Sequence, residues 1–93
     1  MKYTVKPTSR FQKDLKLINK RGYDTNKLRT VIKLLADGVE LPPYYKDHPL
    51  RGNWDGCREC HIEPDWLLIY EYDNGSLILY LSRTGTHSDL FDK

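Results

Sequence analysis

Ninety-three residues suffice for one hydrophobic core and leave no room for a second. With 39% hydrophobic residues in periodic patterns, the chain reads as globular rather than disordered, and no apolar run nears the roughly eighteen residues of a membrane span. The net charge of +2 conceals a split: residues 1–46 have eleven Lys/Arg against four Asp/Glu, or +7, and residues 47–93 have four against nine, or −5. The basic half is either two solvated helices or a flank that follows nucleic-acid backbone.

In chain order, MKYTVKPTSR is charged and lacks the apolar stretch of a secretory signal, so a cytoplasmic protein is expected. Within it Lys2–Lys6 alternates as a short strand would. Ser9 and Gln12 fit a capping box ahead of Phe11, Leu15 and Ile18 at helical spacing, with Gly22 as the stop. Asp24 or Thr25 caps a second helix that sets Leu28, Val31, Ile32 and Leu35 on one face and ends near Gly38. Two helices joined so briefly predict an antiparallel hairpin. Residues 38–56 have neither helical nor strand periodicity, yet their Tyr44, Tyr45 and Trp54 argue for an ordered, functional connection. Three strands follow, Cys57–Ile62, Trp66–Tyr72 and Leu77–Arg83, divided by Pro64-Asp65 and by Asn74-Gly75, a strong hairpin signal. The expected fold is a single α+β domain over residues 1–93, β-α-α-β-β-β, with a small, mostly antiparallel sheet packed by two N-terminal helices.

All three histidines, His48, His61 and His87, fall in the second half of the chain. With two-residue loops in both hairpins, Arg83 lies opposite Trp66 and His61 opposite Leu68. That register puts His61, Trp66 and Arg83 on one face at one end of the sheet, with Asp65 at its rim. His87 follows Arg83 across a Thr-Gly-Thr turn and stays near. A one-residue slip in either hairpin would undo this placement. His48 enters on the long connection and has no position from pattern alone. Histidine exchanges protons near neutrality and arginine offers a fixed cationic fork to phosphate, so the set reads as metal-free phosphodiester chemistry. Each residue alone has a plainer reading: surface histidines, an Arg83 ion pair with Glu63 or Asp65, Trp66 in the core, Phe91 anchoring the tail.

Cys57-Arg58-Glu59-Cys60-His61 matches the haem-attachment pattern, which requires export and so does not apply. The two thiols point to opposite faces of a strand, a poor geometry for a disulfide or shared metal, and are expected reduced and buried. A zinc site lacks a second ligand pair.

Together KDHPL, HIEPDW and RTGTHSDLF resemble the YafQ branch of the RelE superfamily of bacterial type II toxins, and the resemblance covers nearly the whole chain. It implies a ribosome-dependent mRNA endonuclease held inactive by a cognate antitoxin. Such an enzyme acts without metal or small-molecule cofactor and away from membranes, with the RNA 2′-hydroxyl as nucleophile. Its partners would be that antitoxin, the 70S ribosome and mRNA. Carried over by motif, the catalytic set is His48, His61, Asp65, Arg83 and His87, and the substrate-binding pair is Trp66 and Phe91. His87 would be the acid, with His61 or His48 the base aided by Asp65. Arg83 would stabilise phosphate charge, and Trp66 and Phe91 would hold unstacked bases. The alternatives are a non-catalytic RNA- or ribosome-binding module and a small metal or redox protein built on the cysteines.

Overall fold

The computed structural model describes residues 1–91. Its elements are β1 (Thr4–Pro7), α1 (Ser9–Lys20), α2 (Thr25–Ala36), β2 (His48–Pro49), β3 (Arg58–Glu63), β4 (Trp66–Asp73), β5 (Ile78–Gly85) and α3 (His87–Phe91). The five strands form one sheet in the order β1-β5-β4-β3-β2, in which β1 runs parallel to β5 and every other pair is antiparallel. The expected α+β order therefore holds, with the two-residue β2 and the short α3 added to it.

Local signals place the two long helices. Thr8, rather than Ser9, caps α1: its hydroxyl accepts the Phe11 N–H at 3.1 Å and donates to the Ser82 carbonyl at 3.0 Å. Asp24 caps α2 by accepting the Asn26 N–H. Both helices end in the same way. The amides of Gly22 and Tyr23 return to Asn19 and Ile18, and those of Gly38 and Val39 to Leu35 and Leu34. In each case the glycine takes the positive φ that this helix stop requires.

The helices cover one face of the sheet. Phe11 and Ile18 of α1 and Leu28, Val31 and Leu35 of α2 pack in one cluster with Cys60, Trp66, Leu68, Tyr70, Leu79 and Leu81. Each such side chain contributes ~1.5–3 kcal/mol when fully buried. Residues 67 and 69 point the other way and form a smaller cluster with Leu90, flanked by Leu50, Trp54 and Phe91. Both faces of β4 are therefore covered, which is why its sequence reads as an apolar run instead of an alternation.

Both hairpins depart from the expected register. Asp73 pairs with Ile78, so the β4–β5 connection has four residues, 74–77. Leu77, not Gly75, takes a positive φ there, and Asp73 accepts the Ser76 N–H. A bulge then sets Arg83 opposite Ile69 instead of Trp66. In the other hairpin His61 pairs with Leu67 instead of Leu68, with an irregularity before Glu63. That single-residue slip moves His61 to the face away from the helices.

A histidine row on the open face of the sheet

β3 places Glu59 and His61 two residues apart, hence on one face. β2 pairs with it in a register that sets His48 directly opposite Glu59. The segment leading into β2 is pinned by Asp47, which accepts the Tyr70 hydroxyl at 2.7 Å and the Arg58 Nε at 3.2 Å. α3 brings His87 from the end of β5. The result is a row: the rings of His48 and His61 are 6.2 Å apart, those of His61 and His87 5.9 Å, and those of His87 and Phe91 6.5 Å.

Each imidazole is oriented through Nδ1. His48 Nδ1 donates to the Lys46 carbonyl at 2.8 Å and His61 Nδ1 to the Pro64 carbonyl at 3.3 Å. A carbonyl can only accept, so in both rings Nδ1 carries a proton and Nε2 is the other exchangeable site. Both Nε2 atoms face the same carboxylate oxygen, Glu59 Oε1, at 3.4 and 3.6 Å. Glu59 is buried at 5% exposure. His87 Nδ1 meets Asp65 Oδ1 at 2.5 Å, and the His87 backbone N–H donates to the same oxygen at 2.9 Å. That backbone hydrogen bond, reinforced by the ring contact, holds the Asp65 carboxyl below its ordinary range. Asp65 therefore orients the His87 ring, whereas the sequence reading had it aid His61 or His48.

α3 is fastened to the rest of the molecule by Asp89. Its carboxylate takes two hydrogen bonds from Arg21, at 2.6 and 3.0 Å, and one from the Thr86 N–H. The Arg21 guanidinium and Thr86 keep Asp89 well below the usual carboxylate range. A Cβ at Gly85 would lie 3.0 Å from Asp89, so this approach needs the glycine.

Two expected members stand apart. Trp66 is 1% exposed and lies in the helix-side core, edge-on to Tyr23 at 5.1 Å. Its Nε1 donates to Thr84 Oγ1 at 2.9 Å. It has no free ring face for a base, so the register slip makes it a packing residue. Arg83 is not paired with Glu63 or Asp65 and does not point freely outward: its Nε and Nη2 donate to Asp14 of α1 at 2.6 and 3.0 Å. Glu63 instead meets Lys27. The sequence reading missed Glu59, although its place two residues before His61 was a usable signal. It also missed Asp14, Arg21 and Asp89, whose partners are distant in the chain.

The two thiols point to opposite faces as expected, but only Cys60 is buried; Cys57 is half-buried. Cys60 lies in the helix-side core and Cys57 at the edge of the other cluster, and burial raises the pKa of both. Among the described residues, the set that could hold a metal is instead His48, Glu59 and His61, whose ligand atoms lie within 4.8 Å of one another. Nε2-to-oxygen separations of 3.4 and 3.6 Å suit one ion at Zn–N and Zn–O distances of ~2.0–2.2 Å.

Against known proteins, residues 3–92 match the family described as the bacterial toxin of type II toxin-antitoxin system, YafQ. The chain belongs to the YafQ family of bacterial toxins. It is 46% identical over 88 residues, 94% of each chain, to the mRNA interferase toxin YafQ of Escherichia coli K12. The toxin in the crystal structure of the E. coli DinJ–YafQ complex superposes with a TM-score of 0.88 at 44% identity, covering 96% of this chain and 98% of that one. A metal-bound toxin from Helicobacter pylori superposes with a TM-score of 0.90 at 44% identity, covering 96% and 99%. Among the described residues, no helix is long and apolar enough to cross a membrane.

Proposed function

We propose that this chain is the toxin of a type II toxin–antitoxin pair, an mRNA interferase that cleaves mRNA on the 70S ribosome and is silenced by a cognate antitoxin. The family membership supports the class. The row of three imidazoles, each oriented through Nδ1, with the Nε2 atoms of His48 and His61 both turned to Glu59, is the observation that carries the chemistry.

In the reaction, Nε2 of His61 or His48 takes the proton of an RNA 2′-hydroxyl. The 2′-oxygen attacks the adjacent phosphorus, and the P–O5′ bond breaks. Protonated His87, its charge balanced by Asp65, gives its Nε2 proton to the departing 5′-oxygen. The products are a 2′,3′-cyclic phosphate and a 5′-hydroxyl, and no metal takes part. Glu59 balances the charge that the base gains. Arg83, whose Nε and Nη2 donate to Asp14, stabilises charge on a nonbridging oxygen. Phe91, next to His87, is a stacking surface for an unpaired base. The test is to incubate purified protein with mRNA-programmed ribosomes and analyse the new ends. Cyclic phosphate and 5′-hydroxyl termini are expected, and adding the antitoxin should suppress them. Termini of the opposite polarity, a 5′-phosphate and 3′-hydroxyl, would rule out 2′-hydroxyl attack.

A further inference from the structure

Next to the histidine row lies a cleft of about 290 Å³, bounded by Tyr44, Lys46, His61, Ile62, Glu63 and Pro64. Nothing in the proposed reaction uses Tyr44 or Lys46. Tyr44 is 71% exposed, unusual for so large a ring, and it is not loose. It stacks on Tyr45 with ring centres 4.4 Å apart and planes tilted by 34°, and Tyr45 packs against the main core. Lys46 closes the turn with a left-handed φ of 51°, its N–H donating to the Pro43 carbonyl. Its own carbonyl holds His48 Nδ1. The turn that presents Tyr44 is thus joined by a hydrogen bond to one histidine of the row, and the cleft is walled by another.

We infer that this cleft is a binding site for one nucleobase of the RNA, stacked on Tyr44 beside the scissile phosphate, with Lys46 facing the backbone phosphate. The inference rests on the nuclease reading. A braced, exposed aromatic ring is what base stacking needs, because little side-chain freedom is lost on binding. Lys46 is exposed and supplies a cation to the same segment, while Glu63, the one acid in the wall, is already met by Lys27 at 2.9 Å. The cleft is at the small end of ligand pockets, which begin at roughly 300 Å³, and so suits one planar ring rather than a peptide segment.

Two measurements test it. In ribosome-programmed cleavage, Tyr44→Ala should raise KM about 5- to 100-fold with kcat near wild type, and Tyr44→Trp should restore KM. A thermal melt should show the fold of both variants intact, since the ring is mostly in solvent. Separately, a 2′-O-methyl RNA trinucleotide, which lacks the nucleophile, is titrated into the protein while NMR resonances of Tyr44, Lys46 and His61 are followed. Shifts at all three, lost at Lys46 and His61 in Tyr44→Ala, support the site whether or not the protein cuts RNA, so the cleavage reading can fail on its own. The inference is overturned if the trinucleotide leaves these resonances in place. It is also overturned if Tyr44→Ala keeps the wild-type KM, or lowers kcat at unchanged KM, which would mean that the tyrosine only braces His48.

Discussion

The two faces of the sheet are built from the same strands and do opposite work. Toward α1 and α2, β3 and β4 turn Cys60, Ile62, Trp66, Leu68 and Tyr70 into a closed apolar layer. Toward the other side β3 turns Glu59 and His61, over which β2 and α3 bring His48 and His87. Only a small apolar patch around Leu67, Ile69 and Leu90 underlies them. Substitution on the first face should affect stability. On the second it should affect chemistry, because the histidines there are held by hydrogen bonds and remain partly in water.

The largest expected effect tests that division directly. His87→Gln keeps a polar side chain on α3 but ends proton transfer at that atom, and cleavage of ribosome-bound mRNA should fall ~10²–10⁴-fold. Stability should change by less than ~0.5 kcal/mol in a denaturant titration. Wild-type cleavage by this variant would remove His87 from the role of acid. Its mirror is Trp66→Ala, which opens a cavity in the other face and removes the indole donor to the Thr84 hydroxyl, which still donates to the Leu67 carbonyl. It should cost ~3–5 kcal/mol, read as a lower denaturation midpoint. A stable Trp66→Ala that has lost only activity would return Trp66 to the site.

Metal sharpens the comparison further. Because His48, Glu59 and His61 form a ligand set, micromolar zinc at constant magnesium should slow cleavage by occupying the Nε2 lone pairs that the base needs. A zinc-selective chelator should restore the rate, and activity in chelator alone should match the untreated protein. Stimulation by zinc would instead make the set a working metal site.

The smallest effect concerns acid. Asp89 and Asp65 both have folded pKa values below those of the unfolded chain, ~3.9 for aspartate. Between the two values the unfolded chain binds more protons, so their contribution is full above that range and is lost as pH falls below about 4. The melting temperature should drop there, and Asp89→Asn should flatten the drop while lowering the melting temperature at neutral pH. An unchanged acid limb in that variant would show that the Arg21 contact contributes nothing to the docking of α3.

Much of this was legible in the sequence. Helix periodicity, the two glycine stops, the order of elements and the motif resemblance follow from local pattern, as does the meeting of His61, Asp65 and His87 at one end of the sheet. The faces were not legible. Asn74-Gly75 is a strong two-residue turn signal, yet the connection takes four residues, with Leu77 in the left-handed conformation. A side-chain period of two converts a one-residue slip into a change of face, so His61 and Trp66 parted where pattern had joined them. His48 had no pattern to place it, because its position comes from two paired residues and the Asp47 contacts to Tyr70 and Arg58.

By itself, then, the sequence determined the main elements, their order and the family, and it supplied the candidate proton-transfer groups, since these depend on residue type and short-range spacing. Tertiary structure alone decided which groups share a surface. It gave Asp65 to His87, set Glu59 between the other two histidines, committed Arg83 to Asp14 and buried Trp66. Apart from Glu59 and His61, both on β3, each of these contacts joins residues far apart in the chain, so strand register, which local pattern does not fix, decides them.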